Sequence, residues 1–400
     1  MAIEPRLRGI AFWSIASIIV LFMSASSAPT PLYVVYQHDW GFSNTTLTVI
    51  FAVYVLALLG SLLVVGALSD HIGRRPVLAA AIVLEAVALV LFVVAGDVLA
   101  LSIARVLQGI ATGAAITTLG ASLVDLNPPE APARAGVVNG VTPIGGLAFG
   151  ALATGALVQW APSPRHLVYL ILLAGMAVAL AVVARLPESS PRRPGAIASL
   201  APRLGIPAHL RVQVLALLPI FIASWALGGL YLSLGPSVAA SIFGLESHFE
   251  GGVLVALLCG TGAATAFALR AWPAQRLLPP AAVLLAAGMV ITLVSVEQES
   301  VLVGIIGTLV AGVGFGAAAL ACFGTLARIA LPTERGELFA VAYTISYIAF
   351  SVPAVAAGFA STRYGLHRTT IVYGIVVLAF ALSALAAQRI VGRRATLEAS

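Results

Sequence analysis

Two ionisable residues stand where long apolar runs should exclude them. Glu85 lies near the middle of the run at about 76–96. Arg105 lies about seven residues, or roughly 10 Å at helical rise, inside the next run, at about 98–120. Charge at that depth in hydrocarbon is costly, so by default such a residue faces a cavity and is paired. Gln108 follows Arg105 by three positions on the same helix face. The chemistry this trio suits is proton exchange. Burial and a nearby guanidinium pull a carboxyl's protonation in opposite senses, so Glu85 can gain and lose one proton per cycle. The two runs are joined by a very short turn, and by rise the two charges differ in depth by only about 6 Å. Plainer readings stand beside this one: a structural, hydrogen-bonded or protonated Glu85, and an Arg105 that snorkels to the surface. Asp39 and Asp97, in turns between runs, are read as solvated.

The elements that must position these residues are membrane helices. Of 400 residues 60% are hydrophobic and 9% charged, with mean hydropathy +1.07, proportions outside those of soluble domains. At about 20 apolar residues per span there is room for twelve helices. The apolar runs lack the period-2 alternation of barrel strands. Spans are expected at about 10–33, 46–68, 76–96, 98–120, 136–159, 166–186, 212–238, 250–270, 278–296, 301–323, 338–360 and 369–390. Arg6, Arg8 and the run from Gly9 to Met23 have the look of a signal peptide, but the apolar stretch continues through Tyr33 and reads as the first span. The polar, proline-rich interruption 187–211, with Pro191, Arg192 and Arg203 among its residues, reads as a linker between two six-helix halves, 1–186 and 212–400.

Every basic residue is arginine, and the arginines fall in alternate loops. With both termini in the cytoplasm, seventeen lie inside, Arg389, Arg393 and Arg394 among them, against Arg165, Arg363 and Arg368 outside. That pattern accounts for the pI of 9.7 without nucleic acid. Cys259 and Cys322 fall inside apolar runs, so neither a disulfide framework nor a metal site is supported. No Walker A, H-E-x-x-H or G-x-S-x-G sequence is present, so no enzyme and no cofactor is expected. The halves repeat weakly, Gln108-Gly109 with Gly113-Ala114-Ala115 matching Ala311-Gly312 with Gly316-Ala317-Ala318. Short loops follow each, with Pro129, Glu130 and Arg134 in one, Pro332, Glu334 and Arg335 in the other. Such duplication is the signature of a transporter built from two bundles. Arg105 maps to Thr308, and Gln108 to Ala311.

Gly66-Ala-Leu-Ser-Asp70-His71-Ile-Gly73-Arg74-Arg75-Pro76 joins the second and third spans. The glycines permit a tight turn, and Pro76 suits the first turn of the next helix. An aspartate at a helix C-terminus needs a cation or another helix's N-terminus. This loop resembles motif A of the major facilitator superfamily, with His71 where that family usually has Arg or Lys. Leu101-x-x-x-Arg105-x-x-Gln108-Gly109 resembles its motif B, associated with proton coupling. Gly146-x-x-x-Gly150-Ala151-x-x-Thr154-Gly155 resembles motif C of the antiporter branch, with Ala151 in place of proline. Small residues at that spacing also favour close helix packing on their own. The resemblance implies twelve helices in two pseudo-symmetric bundles, and a monomeric drug:proton antiporter of a bacterial-type inner membrane. Its partners would be small organic compounds, protons and lipid. Asp70 and Arg74 would latch the first half to the second, with Glu130, Arg134, Glu334 and Arg335 as further partners.

Tyr33, Trp225, Tyr231, Tyr343, Thr344 and Tyr347 are candidates for an apolar, aromatic substrate cavity. Pro31 and Pro236 are matched prolines near the ends of the leading helix of each half, placed to bend or to end it. Two other functions fit the same sequence: a proton-linked importer of a vitamin, sugar or nucleoside, and a transporter-like sensor without net flux.

Overall fold

The computed structural model describes residues 5–128, 130–131, 133–190, 193–202, 204–245, 247–331 and 334–398, with backbone alone for Pro5 and from 389 onward. Pro129, Pro191, Arg192, Arg203, Pro332 and the side chains of Arg389, Arg393 and Arg394 lie outside the described residues. Among those described, all regular structure is helical, and twelve helices are long and apolar enough to span a membrane. We label these α1 (Arg6–Trp40), α2 (Asn44–Val65), α3 (Arg74–Val94), α4 (Val98–Asp125), α5 (Arg134–Trp160), α6 (Pro164–Arg185), α7 (Ala208–Ser233), α8 (His248–Ala268), α9 (Ala274–Gln298), α10 (Val301–Ile329), α11 (Arg335–Tyr364) and α12 (Leu366–Gln388). The hydropathy runs predict all twelve. Most helices extend a few residues beyond their runs because polar end residues continue the helix into the interface. The chain divides into two compact units, Met1–Phe42 with Ile50–Pro202, and Ser43–Val49 with Arg203–Ser400.

In the first unit the leading helix is not continuous. It runs as two stretches, Pro5–Ser27 and Pro29–Trp40, joined at Ala28, whose N–H still reaches the carbonyl of Ser24 (3.0 Å). Proline has no N–H, so Pro29 cannot serve the carbonyl of Ala25, nor Pro31 that of Ser27. Glycines bring the other helices close. A Cβ built on Gly109 would stand 2.9 Å from the Cβ of Ala57, and one on Gly113 2.9 Å from that of Ser61, so α4 lies against the backbone of α2. Ser61 Oγ uses this approach to donate to the carbonyl of Ile110 (2.7 Å). Gly146 and Gly150 do the same for α5 on α1, where Ser24 Oγ donates to the carbonyl of Gly146 (3.1 Å). Gly155 is buried one turn farther along α5.

The second unit repeats these devices. The helix Arg211–Ser233 of α7 lapses at Leu234 and is followed by a short helix, Gly235–Ser241, that carries Pro236 in its first turn. α10 meets α8 so closely that a Cβ on Gly316 would stand 2.7 Å from the Cα of Gly262. Tyr373 of α12 donates to the carbonyl of Ala226 on α7 (2.7 Å). Gly146 tests how far such contacts carry stability: a Cβ there would stand 2.6 Å from the Cβ of Met23. Gly146→Val should destabilise the protein by about 1–3 kcal/mol through overpacking, seen as a lower thermal midpoint in detergent. An unchanged midpoint would show that α1 and α5 separate at no cost.

Candidate functional site

Glu85, Arg105 and Gln108 meet inside the first unit at 0%, 1% and 0% exposure, from α3 and α4. Gln108 stands between the two charges. Its carbonyl oxygen accepts from Arg105 Nη1 at 2.5 Å, and its amide nitrogen donates to Glu85 Oε1 at 3.0 Å. The same amide also donates to the carbonyl of Ala25 at 3.0 Å, the one Pro29 leaves without a helical donor. Arg105 Nη1 donates to the carbonyl of Ser26 next to it at 3.1 Å. The guanidinium lies over the ring of Tyr54, 3.9 Å from its centre, a cation–π contact between two buried groups. Tyr54 in turn donates to Ser26 Oγ at 2.8 Å. Arg105 therefore does not snorkel. Glu85 Oε2 and Arg105 Nε remain buried without a hydrogen-bond partner, so the carboxyl keeps one oxygen able to take a proton.

At the Arg74 end of this unit, the α2–α3 loop closes on itself and on the segment after α6. Arg74 Nη1 pairs with Asp70 at 2.5 Å and donates to Ser69 Oγ at 2.6 Å, while its Nε pairs with Asp125 at 3.1 Å. Glu188 accepts from the backbone N–H of Arg74 (2.8 Å) and of Arg75 (3.2 Å). These are first-turn donors of α3 that no helical carbonyl can reach. Gly73, at φ 110°, makes room for it, because a Cβ there would stand 2.6 Å from Glu188 Oε2. Arg75 donates to the carbonyl of Ala184. His71 Nδ1 lies 3.1 and 3.0 Å from the carbonyls of Arg193 and Pro194, so that nitrogen carries the hydrogen. The partners found for Asp70 and Arg74 are thus within the first unit, where the sequence reading places a latch to the second half. Gly66 closes the end of α2 with a backbone bond to Leu62 (3.1 Å). Glu130 and Arg134 are exposed, and Arg335 is exposed in the second unit. Glu334 there lies 3.7 Å from His209 Nε2.

The aromatic candidates separate into two groups. Trp225, Tyr343 and Tyr347 are half-buried and belong to one run of ring contacts in the second unit. Phe221 meets Phe323 at 5.5 Å, Phe323 meets Tyr343 at 5.2 Å, and Tyr343 stacks on Tyr347 at 6.3 Å. Tyr347 then meets Trp225 at 5.3 Å, and Trp225 meets Phe350 at 5.7 Å. Tyr33 and Tyr231 are instead buried inside their own units. Tyr231 and Thr308 share a hydrogen bond of 2.9 Å, so the position matching Arg105 holds a neutral pair. Thr344 spends its hydroxyl on the carbonyl of Ala340 in its own helix.

The sequence matches the family described as Major Facilitator Superfamily over residues 14–354. The chain belongs to that superfamily. It is a secondary transporter, not an enzyme. Solved structures share the fold. The human organic anion transporter MFSD10 (TETRAN) superposes with a TM-score of 0.70 at 17% identity, over 96% of this chain and all of that one. A bacterial homolog of the human lysosomal transporter Spinster, inward-facing and occupied, gives 0.79 at 13% identity, over 97% of this chain and 98% of that one. The inward-facing, unoccupied form gives 0.73 at 14% identity, over 96% and 97%. No curated protein matches the sequence.

Several working residues of this transporter escape a sequence reading. Asp125 and Glu188 look like ordinary helix-end acids, and nothing local pairs them with Arg74, 51 and 114 positions away. The carbonyls of Ala25 and Ser26 carry no side-chain signal, although Pro29 four residues after Ala25 is one that could have found the first. Glu188 lends itself to a direct test. Glu188→Ala should cost about 1 kcal/mol, as the loss of a helix cap does, and speed amide exchange at Arg74 and Arg75, followed by hydrogen–deuterium exchange. Unaltered exchange would show that the cap carries no weight.

Proposed function

We propose that this transporter exports small, moderately hydrophobic organic compounds in exchange for protons, with Glu85 as the proton carrier. The observation that carries the reading is the site around Gln108. A carboxyl is held in hydrocarbon at 0% exposure, linked through one amide to a guanidinium, with its second oxygen unpartnered. A purely structural acid would be expected to use both oxygens, because an unpartnered buried oxygen costs free energy.

The reading of direction and substrate draws on other features. The resemblance to motif C supports export, and the ring contacts around Tyr343, Tyr347 and Trp225 suit a flat or lipophilic compound. The rings of that stripe are themselves uncharged, which favours neutral or cationic compounds over multiply charged anions. The organic anions named for MFSD10 stay with that protein. The arginine distribution supports both termini in the cytoplasm; we read the membrane as a bacterial-type inner membrane, and segment 187–211 as the linker between halves that work as one monomer.

The test uses purified protein in proteoliposomes, a panel of labelled compounds and an imposed pH gradient. Wild type should move at least one compound against its gradient when protons run the other way. Glu85→Gln keeps the shape of the side chain and removes its charge, so exchange of that compound should persist while the response to the pH gradient disappears. An unchanged proton dependence in the variant sinks the reading of Glu85. Accumulation in the direction of proton flow would make the protein an importer, and binding without flux a sensor.

A further inference from the structure

Three tyrosine hydroxyls lie buried in the first unit between its Trp40 end and the Glu85 site. Tyr33, Tyr36 and Tyr169 are 1%, 1% and 0% exposed. Counted from the helix ends at helical rise, Tyr36 lies about 6 Å deep, Tyr169 about 7.5 Å, Tyr33 and Arg105 about 10 Å, and Glu85 about 14 Å. The residues come from four helices, α1, α6, α4 and α3, yet their depths form one descending series. At its mouth Arg165 pairs with Asp39 at 2.9 Å, both partly exposed. The Tyr36 hydroxyl donates to that of Tyr169 at 3.3 Å. Tyr36 lies within the electrostatic reach of Arg165, Asp39 and Tyr33, and Tyr33 within that of Arg105.

Two aromatic rings flank the column. Trp40 stacks on Tyr36 with ring centres 4.7 Å apart, and Phe92 stacks on Tyr169 at 4.6 Å with planes 9° from parallel. At its deep end Tyr33 Oη, Arg105 Nε and Glu85 Oε2 are all buried without a partner in the protein. A buried polar atom without a protein partner is the kind of group that an ordered water satisfies.

We propose that Tyr36, Tyr169 and Tyr33 form a hydroxyl column that carries protons between the Asp39–Arg165 end of the first unit and Glu85. This rests on the reading of Glu85 as the proton carrier. Each hydroxyl takes the incoming proton on its oxygen as it releases its own hydrogen to the next acceptor, so every O–H bond broken is matched by one formed. The Tyr33 hydroxyl has no hydrogen-bond partner in the protein, so water passes the proton from Tyr169 to Tyr33 and again from Tyr33 to Glu85 Oε2, and the carboxylate becomes the neutral acid. Arg105 keeps its protons throughout and supplies a fixed charge that Glu85 balances when ionised. The route lies wholly inside one bundle.

The test reads protonation and needs no substrate. In proteoliposomes given a sudden external pH drop, time-resolved infrared spectroscopy follows the carbonyl stretch of protonated Glu85, assigned as the band absent from Glu85→Gln. Tyr36→Phe and Tyr169→Phe keep both rings and remove one hydroxyl each. Each should slow the rise of the band by about a hundredfold, the lower end of what a positioned proton-transfer group contributes. Tyr33→Phe serves in place of either that fails to fold. A wild-type rate in the phenylalanine variants overturns the column and leaves the coupling reading standing. A wild-type protein that shows no band missing from Glu85→Gln at any pH overturns both.

Discussion

Hydrocarbon offers a guanidinium nothing to donate to, and the first unit is arranged around meeting that demand for Arg105. Its donors reach Gln108 and the backbone of Ser26, and its face lies on Tyr54. Each contact depends on a different packing device. Gly109 and Gly113 set α4 against α2, which puts the Tyr54 ring beneath the cation. Gly146 and Gly150 set α5 against α1 and hold the segment with Ser26 in place. The short turn between α3 and α4 brings Glu85 to the amide of Gln108. In the first unit the glycines that set the helix spacing thus also bring the partners of this one charge to it.

The Arg74 end obeys different rules because water reaches it. The Asp70 side chain is about half exposed, and an ion pair in that setting is worth little by itself. What organises the loop is backbone hydrogen bonding, with Glu188 on the first N–H groups of α3 and Asp70's own carbonyl receiving both Arg193 N and Ser190 Oγ at 3.2 Å. Among the described residues the second unit holds no buried charge. Where the first has Arg105 and Gln108, the second has Thr308 and Ala311, and a tyrosine hydroxyl suffices to satisfy the threonine. The two halves share the glycine-mediated approach of helices and differ in the ionic site.

The spans were legible because hydropathy is a local property, and the arginine and glutamate stood out because each contradicts its surroundings. Gln108 was legible too, from its spacing to Arg105. The partners were not. Tyr54, Ser26, Asp125 and Glu188 meet their targets through the rotation and register of whole helices, which no window of sequence contains. The same limit separates Tyr33 and Tyr231 from Trp225, Tyr343 and Tyr347. All five are aromatic residues in apolar helices, and only the packing says which are enclosed and which line the ring-contact stripe.

Pro29 has one more effect. Proline lacks its donor in every conformation, so the Ala25 oxygen can never receive the usual α-helical bond from four residues on. Gln108 acts as a rivet through that gap, because sliding α1 along α4 would strand a carbonyl and an amide together in oil, each at a cost of several kcal/mol. Relative sliding of those two helices at that level therefore carries a cost that the rest of their length does not.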